Sequence, residues 1–200
     1  FSFNIKTLLQ SFIWYSTWAY GLPETLIDFV LPGLKLNPNL MRYWGDHYTI
    51  IFMSAAISSA LIIYSLIFLF LKNRRSLNNK SFLFFLFWFI LGLSPVIFFP
   101  SHKSSHYLIF VLPAFWSIIG LVAFNFYAKF KKTYPKLALT LVIVLITSLF
   151  ILAFSSIKLG GKTYWAVERG KLTEKLIKEM TAIYPSLPKG AIIYFTNDPG

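Results

Sequence analysis

The 200-residue chain is 56% hydrophobic and 13% charged, with a mean hydropathy of +0.64, whereas soluble domains carry roughly 25% charged residues. That balance excludes an ordinary water-soluble domain, and the apolar residues come in long blocks instead of the short stripes of a soluble core. The net charge of +12 gathers largely in two loops between those blocks, so membrane topology accounts for it and no nucleic-acid partner is needed. The absence of cysteine removes disulfides, thiolate metal sites and cysteine nucleophiles.

Taken in chain order, residues 1–47 are expected to form an extracytoplasmic or interfacial segment. Leu8 to Tyr20 is apolar and rich in aromatics, but Gln10, Ser11, Ser16 and Thr17 interrupt it, and Gly21-Leu22-Pro23-Glu24 closes it. Trp14, Tyr15, Trp18 and Tyr20 suit the headgroup region, where an amphipathic ring keeps its polar atom wet. The alternative is a fifth membrane span ending near Tyr20. The chain begins with Phe1 in place of Met and ends at Gly200, so it is read as an excerpt of a longer protein, and no signal peptide is visible at its start.

Four segments match the roughly 20 mostly apolar residues that a helix needs to cross about 30 Å of hydrocarbon while satisfying its own backbone. They are 48–71, 81–99, 107–130 and 137–156, together a transmembrane bundle over 48–156. The expected fold class is an all-α polytopic membrane protein of about four transmembrane helices, possibly five with the N-terminal segment. Loop 72–80 holds Lys72, Arg74, Arg75 and Lys80 with no acid, and loop 129–136 holds Lys129, Lys131, Lys132 and Lys136 with none. An excess of Lys and Arg in short loops marks the cytoplasmic side, which places both termini of this chain outside the cytoplasm and the whole in a cell membrane as a multi-pass protein.

Beyond the last span, Trp165, Leu172, Leu176, Met180 and Ile183 recur at helical spacing, with Lys171, Glu174, Lys175, Lys178 and Glu179 on other faces. This predicts an amphipathic soluble helix. Tyr184 to Pro188 ends it, and the apolar run Ala191-Ile192-Ile193-Tyr194-Phe195 predicts a strand. Residues 157–200 are therefore expected to open a small extracytoplasmic α/β or α+β domain.

Groups able to do chemistry concentrate on the outer side. The loop Pro100-Ser101-His102-Lys103-Ser104-Ser105-His106-Tyr107 joins the second and third spans, and Arg42, Tyr43, Trp44, Asp46 and His47 precede the first. A cation flanked by hydrogen-bond donors can hold a phosphate, with arginine offering a bidentate fork. His102 and His106 lie four apart, but a lone pair without a third ligand makes no metal site. Asp46 and His47, being adjacent, do not face one point on a helix. Pro95 and Pro113 fall near the outer ends of the second and third spans, where they would shape the mouth of a cavity.

The run Phe99-Pro100-Ser101-His102-Lys103-Ser104-Ser105-His106-Tyr107-Leu108-Ile109-Phe110-Val111-Leu112-Pro113-Ala114 resembles a late-span signature of GT-C type polyprenyl-phosphate-sugar-dependent glycosyltransferases, of the protein mannosyltransferase and aminoarabinose transferase kind. There an outer loop with a basic residue leads through an aromatic pair and a few apolar residues to Leu-Pro. Lys103, His106, Tyr107 and Leu112-Pro113 take the corresponding places, with His106 standing where an aromatic residue is commoner. The resemblance implies a bundle of many spans and transfer of a sugar, on the outer face, from a polyprenyl-phosphate-linked donor in the membrane lipid, with no cofactor. It also implies a catalytic acid in an earlier outer loop, outside this chain, so no catalytic residue is assigned to Asp46, Asp28 or Glu24. Lys103, His106, Tyr107 and Arg42 are the candidate groups for the lipid phosphate. The alternative reading from another class is a segment of a multi-spanning transporter or flippase. Such proteins place ionisable groups near the bilayer midplane, and none of the four segments carries one there.

Overall fold

A computed structural model describes residues 4–31, 35–72, 79–99, 103–163, 165–186 and 189–190. Helix α1 (Ile5–Ala19) is followed by a 3-10 helix (Glu24–Phe29), by strands β1 (Val30–Leu31) and β2 (Lys35–Leu36), and by the short α2 (Asn39–Trp44). Next come α3 (His47–Lys72) and α4 (Lys80–Ile97), a second 3-10 helix (Ser105–Phe110), α5 (Leu112–Phe130), α6 (Pro135–Thr163) and α7 (Trp165–Ile183). The strands pair antiparallel, Val30 with Leu36 and Leu31 with Lys35. Two compact units divide the chain, Phe1–Gly160 and Gly161–Gly200.

Among the described residues, α3, α4, α5 and α6 are the four helices long and apolar enough to cross a membrane. The protein is an all-α, multi-pass membrane protein. Two clusters of buried side chains mark the two ends of the bundle. Leu69 at the end of α3, Phe126 and Phe130 at the end of α5 and Ala138 at the start of α6 meet at one end, the end that carries Lys72, Lys129 and Lys136. At the other, Ile51 and Ala55 of α3, Leu93 of α4, Val111 and Ala114 of the α5 entry and Leu152 of α6 pack with Trp14, Trp18 and Trp44. Consecutive spans therefore alternate in direction.

Lipid gives helices no hydrophobic reason to associate, so close packing by small residues has to do that work. On α3 the buried positions include Ser54, Ala55, Ser58 and Ser65. The three serine hydroxyls donate to the carbonyls of Ile50, Ser54 and Leu61, each at 2.7 Å, which leaves a thin, polar-satisfied face. Gly92 on α4 lies so near the Val111 side chain that a Cβ there would overlap it. Elsewhere the spans turn large apolar groups outward, such as Phe84, Leu91, Phe124, Ile146 and Phe150.

The third span differs from expectation at its start. Residues 105–110 form a 3-10 helix and the α-helix begins only at Leu112. Pro113, near the N-terminus of α5, has no amide to extend an α-helix backward through Ile109, and it biases Leu112 away from helical geometry. The tighter turn is instead closed by the Val111 amide on the Leu108 carbonyl at 2.9 Å. Pro113 therefore starts a helix and makes no kink. Pro95 does lie inside a helix; the Leu91 carbonyl that its missing amide would have served accepts the Ser94 hydroxyl at 2.7 Å. The fourth span continues past Ser156 to Thr163.

Helix α1 departs further from expectation. Asn4 caps it by accepting the Lys6 amide at 3.0 Å. Its 15 residues cover roughly 22 Å, short of the hydrocarbon core. Trp14, Tyr15 and Trp18 are buried inside the protein. Together with Ser11 and Ala19 they form the buried face of the helix, because the i, i+3, i+4 and i+7 spacing puts them on one stripe. That stripe packs on α4 and the second 3-10 helix, with Phe12 edge-on to Phe89 at 6.0 Å. Tyr20 bonds to Ser58, accepts the Ser59 hydroxyl at 3.0 Å and donates to the Ala55 carbonyl at 3.3 Å. Its polar atom is satisfied by α3. Gly21, at φ +105°, then reverses the chain beside Leu152, which a Cβ would just touch at 3.8 Å.

In the second unit α7 forms as expected. Lys178 meets Glu174 at 2.7 Å and Lys175 meets Glu179 at 3.8 Å, while Leu172, Leu176 and Ile183 stay exposed. The expected strand 191–195 lies outside the described residues, as do 73–78 of the first basic loop.

A candidate anion site at the outer end of the second and third spans

The loop that leaves α4 re-enters the bundle through the second 3-10 helix. Ser104 caps that helix, accepting the His106 amide at 3.4 Å, and its hydroxyl also pairs with His106 Nδ1 at 2.8 Å. His106 is thereby oriented but exposed, Tyr107 is 39% exposed, and Leu108 between the flanking side chains is buried and anchors the turn.

Lys103 sits at the head of this turn, half-buried. Among the described residues no carboxylate lies within ion-pair reach of its ammonium. Burial pushes its pKa below the ordinary lysine range, because a partly desolvated cation without a counter-ion loses hydration and gains nothing in return. Tyr107, four residues on, lines an apolar cavity of about 350 Å³ together with Pro95, Val96 and Phe99. Pro95 shapes this cavity as expected, whereas Pro113 is not among its lining residues.

The N-terminal segment is bonded to this turn. Glu24, first residue of the first 3-10 helix, takes the Ser105 amide on Oε1 and the Ser105 hydroxyl on Oε2, both at 2.9 Å. Asp28, one turn on, has its carboxyl raised above the usual range, first by desolvation and then by the Glu24 charge. Tyr15, fully buried, has its phenol raised mainly by burial, with smaller contributions from Tyr107 and Glu24. The Ser104 backbone offsets part of that rise, at a geometry short of a hydrogen bond, so the hydroxyl has no such partner among the described residues.

Of the four candidate residues named from sequence, Lys103, His106 and Tyr107 are thus brought onto one turn. Arg42 is on α2, exposed, with no hydrogen bond or ion pair among the described residues. Its helix reaches the site indirectly, through the Trp44 indole N–H on the Thr25 hydroxyl at 3.3 Å. His102 lies outside the described residues, and among those described no cluster of three metal-ligating side chains exists. Glu24 is the residue sequence reasoning underused. The available signal was a lone carboxylate after Gly-Leu-Pro, between apolar stretches, which needs a partner wherever it is buried.

Comparison with protein-family models, with curated proteins and with solved structures finds no match to this chain.

Proposed function

We propose that this chain is part of a membrane-embedded glycosyltransferase that moves a sugar from a polyprenyl-phosphate donor to an acceptor on the outer face of the membrane. The observation that carries the reading is Lys103: a half-buried cation with no counter-ion among the described residues, four residues before Tyr107, which lines an apolar cavity with Pro95, Val96 and Phe99. A lipid phosphate matches both parts, with its charge on the ammonium and the first carbons of its chain in the cavity. The resemblance of residues 99–114 to the late-span signature of GT-C glycosyltransferases supports the same substrate class.

In this reading the acceptor attacks the anomeric carbon as the bond from that carbon to the phosphate oxygen breaks, with inversion. Negative charge grows on the departing phosphate, and a fixed cation there stabilises the transition state more than the ground state. Lys103 supplies that charge. His106 and Tyr107 add hydrogen-bond donors, and Arg42 adds a second cation from α2. The base that deprotonates the acceptor belongs to another part of the protein.

The orientation follows from the charge of the two basic loops, which puts 72–80 and 129–136 in the cytoplasm and the Lys103 turn outside. Single cysteines at Asn78 and Ser104 test it: an impermeant thiol reagent added outside intact cells should label position 104 and spare 78, and the reverse pattern removes the outer-face reading. The reaction itself is tested in the full-length protein, where Lys103→Ala should abolish sugar transfer while expression and membrane insertion persist. Unchanged turnover would take Lys103 out of the site.

A further inference from the structure

Glu24 is unusual in this chain for spending both carboxylate oxygens on one residue that is 81 positions away in sequence. Its target, Ser105, is the second residue after Lys103 and the first of the 3-10 helix that carries His106 and Tyr107. On the other side of Glu24, Thr25 receives the indole N–H of Trp44, the residue that ends α2 and is 2% exposed. Arg42 lies two residues before Trp44 on that helix. One six-residue 3-10 helix is therefore gripped by both cation-bearing elements, through adjacent residues.

The base of this helix is itself fixed. Gly21 reverses the chain at positive φ, Pro23 enters the helix in an extended conformation, and Leu26 is buried in the same cluster as Trp14, Trp44 and Leu108. Such an element can transmit position, because its own backbone is held at both ends. From this geometry we infer that the Glu24–Thr25 pair is a bracket that holds the Lys103 turn to α2 through the first 3-10 helix, with Glu24 a positioning residue that sets Lys103 for a phosphate. The inference rests on the reading of Lys103 as the phosphate-binding cation.

A negative carboxylate so close to an anion site looks counterproductive on charge alone. Its two hydrogen bonds to Ser105 consume both oxygens and turn them toward the protein, so its role is geometric. This makes the neutral isostere informative. Glutamine can still accept the Ser105 amide and can donate to the Ser105 hydroxyl, keeping both bonds while losing the charge.

The experiment uses the full-length protein in vesicles and farnesyl phosphate as the probe, with farnesol as the phosphate-free control. Loss of a charge-assisted bond predicts that Glu24→Ala weakens farnesyl phosphate binding about tenfold, that Glu24→Gln stays within about threefold of the native protein, and that farnesol binding is unchanged in both. Adding Glu24→Ala to Lys103→Ala should cost nothing more, since the first acts through the second. If Glu24→Ala binds farnesyl phosphate normally while Lys103→Ala does not, the bracket is wrong and the reading of Lys103 stands. If farnesol binding falls with it, Glu24 serves folding and the bracket is again wrong. If Lys103→Ala binds normally, the proposed function fails, and the pH profile of amine acylation at Lys103 decides the bracket alone. Relaxation of the turn in Glu24→Ala should move that profile upward toward ordinary lysine, and an unmoved profile overturns the positioning role.

Discussion

Glu24 and Ser105 are joined by two hydrogen bonds of 2.9 Å, one to the amide and one to the hydroxyl, and this clasp ties the segment after α1 to the turn that carries Lys103. Ser105→Ala removes only the hydroxyl leg. Because the acceptor is a partly buried carboxylate, that leg is expected to contribute about 1–2 kcal/mol, with the amide leg persisting. The unfolding midpoint in mild detergent should drop accordingly, and an unchanged midpoint would show that the hydroxyl is equally well solvated once the clasp opens.

Asp28 gives a stability prediction with a definite sign. Its carboxyl is raised in the folded protein, by desolvation first and by Glu24 second, so the folded state holds the proton more tightly than the unfolded chain does. Stability from this group is fully present at pH below its ordinary value and declines as pH rises through the raised one. Asp28 is exposed, so solvent screens much of this effect; Asp28→Asn should therefore stabilise the protein only slightly at neutral pH and make no difference in acid. Destabilisation at neutral pH would contradict the assignment.

Gly92 allows α4 to approach the entry of α5, where Val111 is fully buried and branched at Cβ. Gly92→Ala improves helix propensity, yet the new methyl overlaps a side chain with little freedom to turn away. Overpacking of this kind costs about 1–3 kcal/mol, so the variant should unfold earlier, and Val111→Ala in the same chain should recover part of the loss. Independent, additive losses would place the strain elsewhere.

The Ser94 hydroxyl covers the Leu91 carbonyl that Pro95 leaves without its amide. In lipid an uncovered carbonyl has no water to turn to. Ser94→Ala should cost about 1–2 kcal/mol, whereas Ser94→Ala with Pro95→Ala, which restores the amide, should recover most of it.

The four spans were legible because they follow from composition alone: a helix in lipid must be apolar for its whole length, whichever neighbour it meets. Helix α7 was legible through its period. The burial of Trp14, Tyr15 and Trp18 was not, since an aromatic stripe suits a headgroup layer and a packed interface equally well; only the presence of α4 and the second 3-10 helix decides. The 3-10 helix at 105–110 hid inside an apolar run, with Pro113 as the one local sign that an α-helix begins afresh there. Lys103, His106 and Tyr107 were found as neighbours in sequence. Glu24 was passed over because its bond to Ser105 spans 81 residues, and no periodicity encodes such a pairing. Arg42 was grouped with Lys103 by membrane level, and the contact that ties its helix to the first 3-10 helix is that of Trp44 with Thr25.

The central claim, that Lys103 is the cation of an anion site, is tested most directly by farnesyl phosphate binding to the full-length protein in vesicles, measured against pH for the native chain and for Lys103→Ala. Burial lowers the Lys103 pKa, so the charge is lost earlier than in an exposed lysine as pH rises. Native affinity should then fall in the alkaline range below the ordinary lysine value, while Lys103→Ala should bind about tenfold more weakly at neutral pH and show no such fall. Equal affinity of the two proteins, with the same alkaline profile, would contradict it.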